Sequence, residues 1–167
     1  MAAQALKQNV ILAKRFGKTE SVSINLKMTN NINLDLETKV IERFVVKKKR
    51  ARYLGFIKID KNRCKFTNEL AHFRDLQQDL FEEVKGHKSL VIERIKNLVK
   101  LKECYLISES SKFDQKKLDI DIALTEIIGC SMGTLIVFGD ADIVYYEGEG
   151  PSDSWIGKPT KFILVDR

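Results

Sequence analysis

The sequence predicts an α+β fold, and three observations lead to that prediction. Alternating apolar and polar residues near the start are typical of half-buried strands. In the middle of the chain, apolar residues recur every three or four positions, as they do on one face of a helix. Short uncharged apolar runs return near the end. We therefore expect N-terminal antiparallel strands, central helices and a C-terminal strand hairpin in a mixed or antiparallel sheet.

The 167 residues fit one domain, so we expect residues 1–167 to fold as a single unit. In the first part, alternation predicts a hairpin whose turn is Asn30 and Asn31. The elements expected here are a helix at 3–15 and strands at 22–28, 32–36, 44–46 and 53–59.

The middle of the chain predicts two helices. The first covers residues 68–85 and ends at Gly86, because its apolar residues form one helical stripe. Ser89 is expected to cap the second helix. The inner face of that second helix is predicted to be Val91, Ile92, Ile95, Leu98 and Val99. A strand follows at residues 103–108.

Residues 114–128 fit either a strand or a helix. Their apolar positions alternate, but they also share one helical face, and Asp114 as a cap with Gly129 as a stop favours the helix. The apolar run 134–138 predicts a buried strand. The remaining expected elements are a turn at 139–142, a strand at 143–146, a loop at 148–151 and a closing strand at 162–165.

Charge is strongly segregated along the chain, although the net charge is only +6. Residues 39–65 carry eleven basic and two acidic side chains, while residues 118–157 carry eight carboxylates and no Lys or Arg. Segments of opposite sign predict either two opposed charged faces or one face that pairs with the other.

The basic segment 43–65 is the candidate nucleic-acid surface. Cations attract phosphates and aromatic rings stack on bases. The alternative is a solvated turn whose aromatic residues belong to the core. The residues predicted to contact nucleic acid are Lys47, Lys48, Lys49, Arg50, Arg52 and Tyr53.

The acidic segment is the candidate protein-binding surface. Aromatic residues supply much of the binding energy at interfaces, and a charged rim speeds encounter with a partner of opposite charge. Again the alternative is that the carboxylates form a hairpin turn and the tyrosines lie in the core. The residues predicted to bind a partner are Asp140, Asp142, Tyr145, Tyr146, Glu147, Glu149, Asp153 and Trp155.

Catalytic and metal-binding patterns are weak. Residues 129–133 match G-x-S-x-G, but a nucleophile elbow needs a strand before it and a helix after it, and here we expect the reverse. A zinc site from Cys64, His72, His87 and Cys104 lacks closely spaced ligand pairs. A metal-dependent nuclease using the clustered carboxylates is the enzymatic alternative. We predict no catalytic residues, no metal site and no cofactor.

These patterns favour a non-catalytic domain that binds a basic protein partner through its acidic, aromatic C-terminal surface. An inhibitor, an immunity-type protein or a subunit that assembles head to tail into a homo-oligomer fits that description. A DNA- or RNA-binding module is the alternative. Three unpaired cysteines and the lack of a secretory signal or a long apolar span predict a cytoplasmic location and no membrane insertion.

Overall fold

One antiparallel sheet is built from short strands that are distributed along the chain. The computed structural model describes residues 29–30, 32–130, 132–148 and 154–159. Within these residues the strands are β1 Thr29–Asn30, β2 Phe81–Glu83, β3 Glu103–Ser108, β4 Lys116–Asp119, β5 Thr134–Phe138, β6 Ile143–Glu147 and β7 Ser154–Gly157. They lie in the order β1-β4-β3-β5-β6-β7-β2, and each neighbouring pair is antiparallel.

Five α-helices accompany this sheet in the described residues. They are α1 Leu34–Phe44, α2 Arg50–Ile57, α3 Arg63–Leu70, α4 Lys88–Leu98 and α5 Ile120–Ile127. Single turns of 3-10 helix precede α2 and α3 and link α3 to β2. No helix in the described part of the chain is long and apolar enough to cross a membrane.

Helices cover both faces of the sheet. On one face, α1 to α3 pack on alternate strand residues such as Ile107, Val137 and Tyr146. On the other face, α4 and α5 pack on the intervening residues, which include Leu106 and Ile136. Because successive side chains of a strand point to opposite faces, a sheet covered on both sides buries every residue of its central strands.

The structure confirms the α+β fold class and several of the predicted elements. β3 and β5 have the predicted bounds, and β5 is buried along its whole length. The turn at 139–142 joins β5 to β6 in a hairpin, and β6 extends one residue beyond the prediction. α4 lies where the second helix was expected, although it begins at Lys88 and its N-cap is His87, so the prediction of a Ser89 cap was wrong.

The predicted strands at 32–36 and 53–59 are wrong, because most of their residues belong to α1 and α2. At 44–46 no named strand forms: Phe44 ends α1, and Val45 makes only an isolated antiparallel bridge with Leu76. The apparent alternation at 32–36 does not separate buried from exposed residues: Ile32 is 58% exposed, whereas Leu36 is buried. Asn33 begins the helix instead, and its side chain accepts a hydrogen bond from the Leu36 N–H. The predicted helix at 3–15 and the strands at 22–28 and 162–165 lie outside the described residues.

The predicted long helix at 68–85 was also wrong. α3 ends at Leu70, and the chain then runs through two 3-10 turns into β2. Backbone hydrogen bonds to the end of α1 explain the break, since Val46 N–H donates to Asp75 and Gln77 N–H donates to Phe44. The apolar residues of this stretch reach the core without helical geometry.

Residues 114–128 contain both of the alternatives that the sequence left open. β4 occupies Lys116–Asp119, and α5 follows directly at Ile120. The N-cap of α5 is Asp119, whose carboxylate accepts a hydrogen bond from the Asp121 N–H, so Asp114 is not the cap. Two further strands were not predicted: β2 lies within the stretch predicted as the helix 68–85, and β7 lies after the predicted loop at 148–151.

Candidate functional site

The predicted partner-binding carboxylates Asp140 and Asp142 lie in the turn between β5 and β6. There they face two basic residues of α1: Lys39 Nζ is 2.5 Å from Asp140 Oδ1, and Arg43 Nη1 is 3.3 Å from Asp142 Oδ1. The hydrogen bond from Lys39 lowers the pKa of the Asp140 carboxyl. At this position the two oppositely charged segments therefore pair with each other.

Tyr145, Tyr146 and Glu147 of β6 are buried. Tyr145 packs on the α4 and α5 side of the sheet, and Tyr146 packs on the opposite side, where its hydroxyl donates to the Ala71 carbonyl. The Glu147 carboxylate accepts hydrogen bonds from the Tyr145 hydroxyl and the Gly129 N–H. In the folded chain these three side chains are not available to a partner, because each is enclosed by core residues.

Trp155 lies on β7 and is half-buried. Its ring stacks on Phe73 with the centroids 4.6 Å apart, and it packs against the core on the α1 to α3 side. The indole N–H is buried and has no hydrogen-bond partner in the described part of the chain. The geometry is that of a residue covering the edge of the core. The neighbouring predicted residues Glu149 and Asp153 lie outside the described residues.

The six predicted nucleic-acid contacts lie in the 3-10 turn before α2 and in its first turn, and their environments differ. Lys49 and Arg50 are half-buried: Lys49 Nζ is 3.7 Å from Asp75 Oδ2, and Arg50 Nε donates to the Val45 carbonyl. Tyr53 is buried. In contrast, Lys47 and Lys48 are exposed and have no ion-pair partner among the described residues.

Arg52 is exposed, pairs with Glu69 of α3 and lies over the Phe56 ring. This ion pair joins the N-terminal end of α2 to the C-terminal end of α3, so the two helices form an antiparallel hairpin. We call it the basic hairpin, residues 47–70. Its core side carries Tyr53, Ile57, Phe66 and Leu70, which are buried.

The solvent-facing outer side of the basic hairpin also carries lysines that were not among the predicted nucleic-acid contacts. Lys58, Lys61 and Lys65 are exposed and make no ion pair with another described residue. Lys58 follows α2 directly, Lys61 lies in the 3-10 turn before α3 and Lys65 lies on α3, and Asp60 is the exposed carboxylate among them. Because residues 53–59 were predicted as a strand, the hairpin of α2 and α3 that carries these lysines was not expected.

A buried ionic network holds the basic hairpin on the rest of the molecule. The Arg63 guanidinium at the start of α3 donates to Glu37 of α1 at 2.6 Å and to both carboxylate oxygens of Asp114 at 2.6 and 2.7 Å. Burial lowers the pKa of Arg63, but the hydrogen bonds to Asp114 and Glu37 outweigh burial and raise it above its ordinary value. The charged form is therefore maintained, and it fixes the hairpin to α1 and to the β3–β4 loop.

The described residues also bear on the catalytic and metal-binding alternatives. Among them, no group of three or more His, Cys, Asp or Glu side chains is placed to hold a metal ion. The G-x-S-x-G stretch follows helix α5 and precedes strand β5, which is the reverse of a nucleophile elbow, as the sequence indicated. The nuclease hypothesis therefore gains no support from the described part of the chain.

Comparison of the chain with models of protein families, with curated proteins and with solved structures found no match.

Proposed function

We propose that the protein binds nucleic acid through the outer side of the basic hairpin. The observation that supports this proposal is the distribution of unpaired cations. Lys47, Lys48, Lys58, Lys61 and Lys65 are exposed, and none of them is neutralised by a carboxylate of the described residues. Ammonium groups that are not engaged within the protein remain free to replace the counterions of phosphates.

Other basic residues of the same segment, in contrast, are neutralised by ion pairs. Lys39 and Arg43 belong to the same basic segment, yet Asp140 and Asp142 engage them. The remaining positive charge of the segment is therefore carried by the basic hairpin. Helices that present cations along one side bind phosphates without reading sequence, so we expect contacts chiefly to the nucleic-acid backbone.

Gly55 is consistent with a macromolecular backbone approaching α2 closely. It lies on the exposed side, and a Cβ placed on it would meet nothing within 4 Å. A glycine inside a helix is unfavourable by about 0.5–1 kcal/mol relative to alanine, and no neighbour in the described chain requires its small size.

The proposal predicts that replacing Lys48, Lys58 and Lys65 together by alanine weakens binding in proportion to the lost phosphate contacts. Binding of a labelled single strand and of a labelled duplex should be measured by fluorescence anisotropy over a range of salt concentrations. Each lost contact should reduce the slope of log affinity against log salt by about 0.7–0.9, so the triple variant should lose about 2 to 3 in slope.

The matched control replaces Lys85, Lys100 and Lys102 by alanine. These lysines are also exposed, and the net charge changes by the same amount, but they flank α4 and lie away from the basic hairpin. The control should retain the affinity and the salt slope of the original chain. Equal losses in both variants would show an unspecific charge effect, and absence of binding at low salt would refute the proposal.

A protein partner is the second candidate. The side chains of Asp140 and Asp142 remain 56% and 68% exposed despite their ion pairs, so a basic partner can still reach them. A pull-down from native lysate with and without nuclease separates the two candidates. Capture of a protein that persists after nuclease treatment supports the acidic surface, whereas capture that nuclease abolishes supports the basic hairpin.

A further inference from the structure

An apolar groove opens at the end of the basic hairpin. It has a volume of about 380 Å³ and lies between the start of α1 and the junction of α2 with α3. Three of the most exposed large apolar side chains of the described chain line it, with Ile32 58%, Leu34 44% and Ile59 45% exposed. Exposed apolar groups gathered in one concavity indicate a binding site more strongly than scattered ones do.

The polar groups of the groove are Lys58, Asp60, Arg63 and Gln115. Arg63 is engaged by Glu37 and Asp114, and the exposed Asp60 carboxylate stands beside Lys58. Lys58 belongs to both the groove and the outer side of the basic hairpin, so the two surfaces are continuous. Gln115 contributes a side-chain amide that makes no hydrogen bond to another described residue, and its backbone has a positive φ of 57°. An amide offers a donor and an acceptor together, which suits the edge of a nucleobase.

We infer that this groove receives an unpaired base of a single-stranded nucleic acid whose phosphates lie along the basic hairpin. This inference rests on the proposed function and adds a preference for single strands. In a duplex, base faces are stacked and cannot enter an apolar concavity, whereas a single strand can turn one base out at low cost. Phe56, which also lines the groove and is half-buried, supplies an aromatic surface for that base.

The test uses the full-length protein, a single-stranded oligonucleotide containing 2-aminopurine, and the same sequence annealed to its complement. We expect the original chain to bind the single strand more tightly than the duplex. Ile59→Ser and Leu34→Ser should each lower single-strand affinity by about 5- to 100-fold, since the base loses its apolar contacts. Neither substitution should alter duplex affinity or the salt slope, and 2-aminopurine emission should change on binding to the original chain only.

Leu90→Ser is the matched control. Leu90 is 54% exposed but lies on α4, on the other side of the sheet, so its substitution should leave both affinities unchanged. All of the substituted side chains are exposed, and thermal denaturation verifies that the variants remain folded.

The outcomes separate this inference from the proposed function. Equal affinity for single strand and duplex, with a salt slope that depends on the hairpin lysines, would overturn the inference and leave the proposed function intact. The same holds if Ile59→Ser lowers both affinities equally. Absence of binding to either oligonucleotide would remove both, and binding only to anionic lipid vesicles would assign the groove to a membrane surface instead.

Discussion

At the scale of single residues, each buried carboxylate of the described chain accepts a hydrogen bond from a tyrosine hydroxyl. Asp75, Glu37 and Glu147 are the buried carboxylates of the described chain. Each accepts a hydrogen bond from a buried tyrosine hydroxyl, at 2.9 Å from Tyr53 for Asp75 and 2.7 Å from Tyr105 for Glu37. Tyr145 serves Glu147 in the same way. A carboxylate removed from water requires such donors, because an unpaired buried charge is strongly destabilising.

The aromatic residues of the acidic segment show where sequence reasoning fails. Tyr145 and Tyr146 were predicted to contact a partner, with the core as the alternative, and they lie in the core. Adjacent residues of a strand point to opposite faces, so both can be buried only if both faces are covered. The sequence gives no direct sign that α4 and α5 cover the second face, since that depends on tertiary packing.

Trp155→Ala should destabilise the fold by about 3 kcal/mol, at the lower end of the range for buried aromatic residues because the ring is only half-buried. The lost contacts are the stack on Phe73 and the packing against the core. Urea denaturation measures the change. Met132→Ala is the control, since Met132 is 59% exposed and should shift stability by less than about 0.5 kcal/mol. An unchanged stability together with loss of a protein partner would restore Trp155 as an interface residue.

At the scale of secondary-structure elements, predictability follows the length and burial of each element. β3 and β5 each contain four consecutive apolar residues, and α4 is eleven residues long and buries Val91 and Ile95, so the sequence located all three. In contrast, α2 and α3 have eight residues each, and α2 buries only Tyr53 and Ile57. Two core residues define no periodicity, which explains why this part of the chain was read as strands.

The candidate site was predictable only in part for the same reason. The cluster at residues 47–52 was expected on the surface, and none of its basic side chains is fully buried. The extension through Lys58, Lys61 and Lys65 depends on α2 and α3 forming a hairpin. The groove beside it is lined by residues as distant in the chain as Ile32 and Gln115, and the spacing of residues does not predict that they share a surface.

Two glycine substitutions should have opposite effects because their surroundings differ. A Cβ on Gly157 in β7 would lie 2.7 Å from the Phe81 ring and 2.9 Å from Val144, so Gly157→Ala should destabilise the fold by about 1–3 kcal/mol. Gly55→Ala should stabilise it by about 0.5–1 kcal/mol, since α2 offers open space at that position. Thermal denaturation of both variants checks the pair, and stabilisation by Gly157→Ala would contradict the packing of β7 between β6 and β2.

At the scale of the whole molecule, the two charged segments belong to different elements. The basic segment lies on α1 to α3, and the acidic segment lies mainly on α5 and on β5 to β7. Part of the basic segment meets the acidic turn through Lys39 and Arg43, which joins α1 to the β5–β6 hairpin. The rest projects from the basic hairpin. The network of Glu37, Arg63 and Asp114 fixes that hairpin to the molecule, so its lysines keep a defined arrangement. Lys39 and Arg43 therefore stabilise the fold through ion pairs, whereas Lys47, Lys48, Lys58, Lys61 and Lys65 make no ion pair with another described residue.

The buried tyrosines also predict how stability depends on pH across the whole fold. Burial, followed by the neighbouring carboxylates, raises the pKa of Tyr53, Tyr105 and Tyr145 well above the ordinary value of 10.0. Burial likewise raises the pKa of the Cys104 thiol from 9.0 to about 12. Below the ordinary values, folded and unfolded chains hold these protons equally, so the stabilising contribution is fully present.

As the pH rises above about 10, the unfolded chain releases the three tyrosine protons while the folded chain retains them. The free energy of unfolding should then fall by about 1.4 kcal/mol per pH unit for each tyrosine and for the Cys104 thiol, about 5.5 kcal/mol for the four groups together. A domain of ordinary stability, about 5–15 kcal/mol, would unfold within a few pH units of that onset. Tyrosinate absorbance and far-ultraviolet circular dichroism should therefore change together during an alkaline titration. Tyr105→Phe removes one of the four groups and should reduce the slope by about a quarter, whereas tyrosines that titrate near pH 10 in a folded chain would contradict their burial.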